Sequence, residues 1–179
     1  MNEKNRVLIN EFLDAVPIEY KEIFNELAEY AIQLGYTPKR TTTKNFGIDF
    51  SKRKVRKTIM KFEDHDNGIP SRNPGLRLRY YASSNYSEIF KNGVKRVIEE
   101  KGGKNTGCRR CGDCKGKLEG YIYTYPNGKN VFRCGPDQMI EIYDFGMADV
   151  PEIKSLLKTQ DEHLINKVKI ATGRNEQIL

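Results

Sequence analysis

Residues 5–34 carry apolar side chains at intervals of three and four, the spacing that puts them on one face of an α-helix. The pattern predicts two helices broken at Pro17, the first bearing Val7, Leu8, Phe12 and Leu13. The second bears Tyr20, Ile23, Phe24, Leu27, Tyr30 and Ala31, and Gly35 follows its last periodic residue as a stop. Proline is tolerated in a helix's first turn, so Pro17 starts the second helix as readily as it ends the first.

The periodicity then changes. Tyr36–Thr43, Phe46–Phe50 and Val55–Phe62 are rich in β-formers. Gly75–Ala82 alternates, with Leu76, Leu78, Tyr80 and Ala82 on one side and Arg77, Arg79 and Tyr81 on the other. Period two predicts an antiparallel strand with one wet face. The polar stretch Asp64–Pro74, with its glycine and prolines, predicts a loop.

Helical spacing returns at Tyr86–Lys101, with Asn85 placed to cap it and Gly102-Gly103 to end it. Beyond a cysteine-rich loop, Tyr121–Tyr125 and Asn130–Cys134 flank an Asn-Gly turn, a strong hairpin signal. Met139–Tyr143 predicts a further strand, and a final helix opens at Asp149, Pro151 and Glu152. Helices, then strands, then a helix, without βαβ alternation, give an α+β fold with a mainly antiparallel sheet packed against helices. The expected organisation is one domain over 1–170, a cysteine-cluster subregion at 104–136 and a frayed terminus at 171–179.

A chain of 179 residues is long enough to bury a core without covalent staples. No apolar run reaches membrane-spanning length, and the charged N-terminus leads into an amphipathic segment, not a signal-peptide core. The expected location is therefore the cytoplasm, where thiols stay reduced and clustered cysteines read as ligands before disulfides.

Cys108, Cys111 and Cys114 are each separated by two residues, and Cys134 comes at the end of the hairpin. The hairpin turns the chain back, so Cys134 is expected to join the other three. Two-residue spacing lets neighbouring thiolates share one ion, and Gly107 and Gly112 ease the backbone angles of such turns. Four thiolates suit zinc in a closed structural site. Nearby Lys104, Arg109, Arg110, Lys115 and Lys117 offset the charge of such a centre. An iron–sulfur cluster, a redox thiol pair and free thiols are alternatives on the same spacing.

A series of short elements accompanies the cluster: Glu11-Phe12-Leu13, Val16-Pro17, Arg56-Lys57-Thr58-Ile59, Leu76-Arg77-Leu78-Arg79, Gly120-Tyr121, Phe132-Arg133-Cys134 and Pro151-Glu152-Ile153. In this order the chain resembles a group of small uncharacterised bacterial proteins with an N-terminal helical region, a sheet and a Cys-rich C-terminal hairpin. The resemblance implies architecture and no known activity.

The net charge of +7 favours polyanions in a general way. Lys39, Arg40, Lys44, Lys52, Arg53, Lys54, Arg56, Lys57 and Lys61 stand against one acid, Asp49. With Arg77 and Arg79 on a neighbouring wet face, this region is a candidate polyanion or nucleic-acid surface, centred on Lys52, Arg53, Lys54, Arg56, Arg77 and Arg79. Solvated charges that keep sheet edges from pairing are the plainer reading. His65, in the acidic run Glu63–Gly68, lacks the ligand spacing of a calcium loop, and His163 is expected on the helix surface. No nucleophile, nucleotide or metalloprotease motif is present. The expectation is a zinc-bound binding or regulatory module. The alternatives are a nucleic-acid binder, or a small-molecule site or enzyme lined by Tyr80, Tyr86, Phe90 and Tyr123.

Overall fold

The computed structural model describes residues 2–41, 46–64, 74–83, 87–100, 106–114 and 118–172. Two helices, α1 (Glu3–Ala15) and α2 (Ile18–Gln33), precede strands β1 (Thr37–Arg40), β2 (Gly47–Lys52), β3 (Lys57–Glu63) and β4 (Gly75–Leu78). Helix α3 (Glu88–Glu100), the hairpin β5 (Gly120–Thr124) and β6 (Asn130–Cys134), strand β7 (Ile140–Ile142) and helix α4 (Val150–Thr172) follow. The α+β class with antiparallel strands is as expected. The larger sheet has the order β1-β2-β3-β4-β7, every pairing antiparallel, and β5 and β6 form a separate ribbon.

Helices α1 and α2 pack their apolar faces on the inner side of this sheet. Phe62 of β3 is the hub, with ring centroids 4.5 Å from Phe24, 4.8 Å from Phe50 and 5.3 Å from Phe12. All four rings are buried, and such aromatic pairs add to the stabilisation from area alone. A bulge between Phe50 and Ser51 shifts the β2–β3 register and leaves Ile59 as the extra residue, so Ile59 and Met60 are buried in succession. Ser87 caps α3, accepting from the Phe90 N–H at 3.4 Å. The expected cap Asn85 lies outside the described residues, as do Lys44, His65, Tyr86, Gly102-Gly103, Lys104, Lys115, Lys117 and the terminal 173–179. Most of the predicted Asp64–Pro74 loop does too.

The strand expected over Gly75–Ala82 stops at Leu78. Beyond it the Arg79 N–H still reaches the Ile59 carbonyl at 2.8 Å and the Tyr80 N–H the Tyr121 hydroxyl at 3.4 Å, but Gln160 of α4 takes the two amides after these. Its Oε1 accepts from the N–H groups of Tyr81 and Ala82 at 2.7 and 3.0 Å. A helix side chain thus replaces a strand partner, and period two fails: Arg79, Tyr80 and Tyr81 are all buried.

Helix α4 is fixed to the same end of the sheet by a buried ion pair. Lys52 Nζ lies 2.8 and 3.0 Å from the Asp161 carboxylate and donates to the Leu34 carbonyl at 2.7 Å, while the Tyr36 hydroxyl donates to Asp161 at 2.9 Å. Removing one partner strands the other charge in a poorly solvated site. Asp161→Ala is therefore expected to cost about 3–5 kcal/mol of unfolding free energy in urea melts. Lys52→Met combined with Asp161→Leu is expected to restore most of it. An additive double variant would show that the pair contributes nothing.

Candidate metal centre and the adjoining cleft

The cysteine hairpin is anchored to the sheet through Arg79. Its guanidinium Nε donates to the Thr58 carbonyl at 2.7 Å, and Nη1 donates to the carbonyls of Gly135, at 2.8 Å, and Pro136. Gly135 packs so closely on the Tyr81 ring that a Cβ there would fall 2.6 Å from a ring carbon. Cys134, one residue earlier, is thereby buried at the end of β6. The loop carrying the other cysteines runs beside it, with Gly107 N–H donating to the Phe132 carbonyl at 2.7 Å.

Within the loop the backbone points N–H groups at sulfur. Arg110 N–H donates to Cys108 Sγ and Glu119 N–H to Cys114 Sγ, each at 3.4 Å. Asp113 N–H donates to Cys111, whose thiol lies next to that of Cys134. The turn needs left-handed backbone at Arg110 and Gly112, with φ of 52° and 79°. The Asp113 amide draws the Cys111 thiol pKa down, but burial and the Cys134 sulfur push it above its ordinary value overall.

The hairpin therefore does return Cys134 to the loop, where it meets Cys111. Cys108 and Cys111 are exposed and Cys114 is half-buried. Among the described residues, no three His, Cys, Asp or Glu side chains converge closely enough to hold a metal ion, so the four-cysteine centre is not preformed. Of the expected cationic neighbours, Arg109 faces Asp137 at 3.6 Å.

A cleft of about 880 Å³ opens beside the loop. Asp113, Leu118, Glu119 and Ile122 form one wall, His163, Lys167 and Ile170 of α4 the other, and Tyr81 the end between them. Charges bridge the walls. Lys167 Nζ lies 2.5 Å from Glu119 and donates to the Asp113 carbonyl at 3.2 Å, and His163 Nε2 lies 3.3 Å from Glu119. His163 also stands edge-on to Tyr81 at 5.5 Å and is half-buried in the cleft wall. Burial drives the Tyr81 phenol pKa well up, and its hydroxyl has no hydrogen-bond partner among the described residues. The sequence gives no hint of this cleft, since Glu119, His163 and Lys167 come from distant segments. Of the residues expected to line a pocket, Tyr80 and Phe90 are buried in the core with ring centroids 5.4 Å apart, and Tyr86 lies outside the described residues. Tyr123 packs on Tyr125 at 4.8 Å.

The expected basic surface is broken up. Lys52 is half-buried against Asp161, and Arg79 is buried among carbonyls. Arg77 lies on the outer face as expected, but 2.9 Å from Glu63 and 3.4 Å from Glu141. Lys57 and Lys61 are paired with Asp113 at 2.7 Å and Asp49 at 3.1 Å, and Arg40 with Glu11. Arg53, Lys54 and Arg56 stay exposed in the β2–β3 turn. A charge ladder, not a positive sheet, faces solvent.

Compared with known proteins, the chain matches no family model, and no curated sequence or solved structure shows significant similarity.

Arg79 is expected to be the hairpin's main tether. Arg79→Met, which leaves three carbonyls without their donor, should cost roughly 3 kcal/mol and raise amide exchange across 133–137 above that of β2 and β3. Equal exchange in the two regions would refute the tether. The Asp113–Lys57 clamp has a pH signature. Burial opposes ionisation of Asp113, yet the Lys57 ammonium wins and holds its carboxyl below the ordinary value. Its contribution is thus complete above about pH 4 and disappears only as pH falls through the depressed pKa, which carboxyl NMR titration reads directly.

Proposed function

We propose that the chain is a zinc-stabilised binding module in which Cys108, Cys111, Cys114 and Cys134 hold one ion as thiolates. The supporting observation is the contact of the Cys111 and Cys134 thiols at the foot of the hairpin, with backbone N–H groups directed at the other two sulfurs. N–H donors stabilise thiolate over thiol, the form a metal requires. Cys134 is fixed by the hairpin and the Arg79 tether, so closing the site asks the loop to bring exposed Cys108 and half-buried Cys114 to it. Four sulfurs fill a tetrahedral zinc and leave no position for a reacting water, so the ion's task is to hold structure. What it holds is one wall of the cleft, since Asp113 and Glu119 flank Cys114. The working module binds its partner there, in the reducing cytosol. Exposed Cys108 and Cys111 suit zinc better than an oxygen-sensitive iron–sulfur cluster.

Elemental analysis of protein purified anaerobically without chelator should find about one zinc per chain, and Cys134→Ser should lower that stoichiometry. Chelation should leave the helical circular dichroism in place, because the Phe62 core lies elsewhere, while amide exchange rises over 106–137. Iron with labile sulfide in place of zinc would reassign the ion. Metal-free protein with four freely reacting thiols would end the proposal.

A further inference from the structure

The turn between β2 and β3 forms one side of a shallow depression of about 500 Å³. Lys39, Arg53 and Arg56 line it with the hydroxyl-bearing residues Thr37, Ser51 and Thr58, and no carboxylate is among the lining residues. Lys52 and Lys57 complete the rim, but each is committed to an aspartate, Asp161 and Asp113. Among the described residues Lys39, Arg53 and Arg56 have no ion-pair partner, so the depression keeps an excess of about three positive charges. The turn is also built to present them. Val55 is buried and pins the tip to the core, and Arg56, in left-handed backbone at φ 52°, bonds its N–H back to the Lys52 carbonyl at 2.9 Å. Ser51 and Thr58 share a hydrogen bond of 2.8 Å, which leaves hydroxyl capacity facing the same space.

We propose that this depression binds a phosphoryl anion, with Arg53 and Arg56 as forked donors, Lys39 as a point charge and the hydroxyls completing the oxygen contacts. Arginine forks match the planar oxygen pairs of phosphate. No aromatic side chain lines the space, so no base is stacked, and recognition is of the phosphate itself. The ligand is a diphosphate-bearing small molecule or successive phosphates of a strand. Its anion contacts are Lys39, Arg53, Arg56 and the hydroxyls, none of them a proposed metal ligand.

Isothermal titration of the full chain with inorganic pyrophosphate at low salt tests it. Saturable one-to-one binding is expected, with an affinity that falls as added salt screens the charges. Arg53→Gln with Arg56→Gln should weaken it about tenfold or more, whereas Lys54→Gln, in the same turn but outside the lining, should change it less than about twofold. Circular dichroism confirms that the variants fold. Displacement of a labelled single-stranded oligonucleotide by pyrophosphate would name a strand as the source, and failure of the oligonucleotide to bind would name the free anion. Both uphold the site. Absence of saturable binding, or an equal loss in Lys54→Gln, overturns it.

Discussion

The Arg79 guanidinium, buried between the sheet and the cysteine hairpin, is the interaction on which the candidate site depends. A buried cation needs its N–H groups satisfied, and here backbone carbonyls do it: Thr58 on the sheet side, Gly135 and Pro136 on the hairpin side. The carbonyls immediately follow Cys134, so satisfying the arginine also sets where that sulfur sits. The close approach of Gly135 to Tyr81 and the Gln160 bonds to Tyr81 and Ala82 then lock the same segment from two further sides. One buried charge thereby joins the sheet, the hairpin and α4.

This use of cations for structure explains why a basic sequence does not give a basic surface. Lys52 is spent on Asp161, Lys57 on Asp113 and Arg79 on carbonyls. Across the outer face the register runs Lys39, Asp49, Lys61, Arg77, Glu141, so most cations meet an acid from a neighbouring strand. Exposed pairs of this kind stabilise little, but they cancel the field that would attract a polyanion. Among the described residues of the sheet, positive charge goes uncompensated at the β2–β3 turn and beside it at Lys39.

The helices, the antiparallel sheet and the Asn-Gly hairpin were legible in the sequence because each rests on local periodicity or turn chemistry. The Leu76–Arg77–Leu78 alternation correctly marked β4, then misassigned Arg79 and Tyr81. Strand period describes a chain only while strands flank it, and from Tyr81 on the partner is Gln160, 79 residues away. The cysteine spacing pointed to one locus, and the structure gathers Cys111 and Cys134 there. The cleft was invisible, because Glu119, His163 and Lys167 look like ordinary surface residues until α4 is laid against the loop.

The cleft and the thiol cluster share a wall, and that has a thermodynamic consequence for the proposed metal. Asp113 accepts the Lys57 ion pair through its carboxylate and the Lys167 ammonium through its carbonyl, while its N–H faces Cys111. Glu119 likewise joins His163 and Lys167 through its carboxylate and gives its N–H to Cys114. Each residue therefore reaches both the cleft and a sulfur, Asp113 touching Cys111 through its carboxylate as well as its N–H. Ordering the sulfurs around an ion orders the carboxylates that line the cleft, and the converse holds by necessity. A partner that binds the ordered wall must tighten metal binding by the factor by which metal tightens the partner. A wall built this way cannot be tuned at one end alone, so the chemistry of the cleft is set as much by the loop's thiols as by its charged rim.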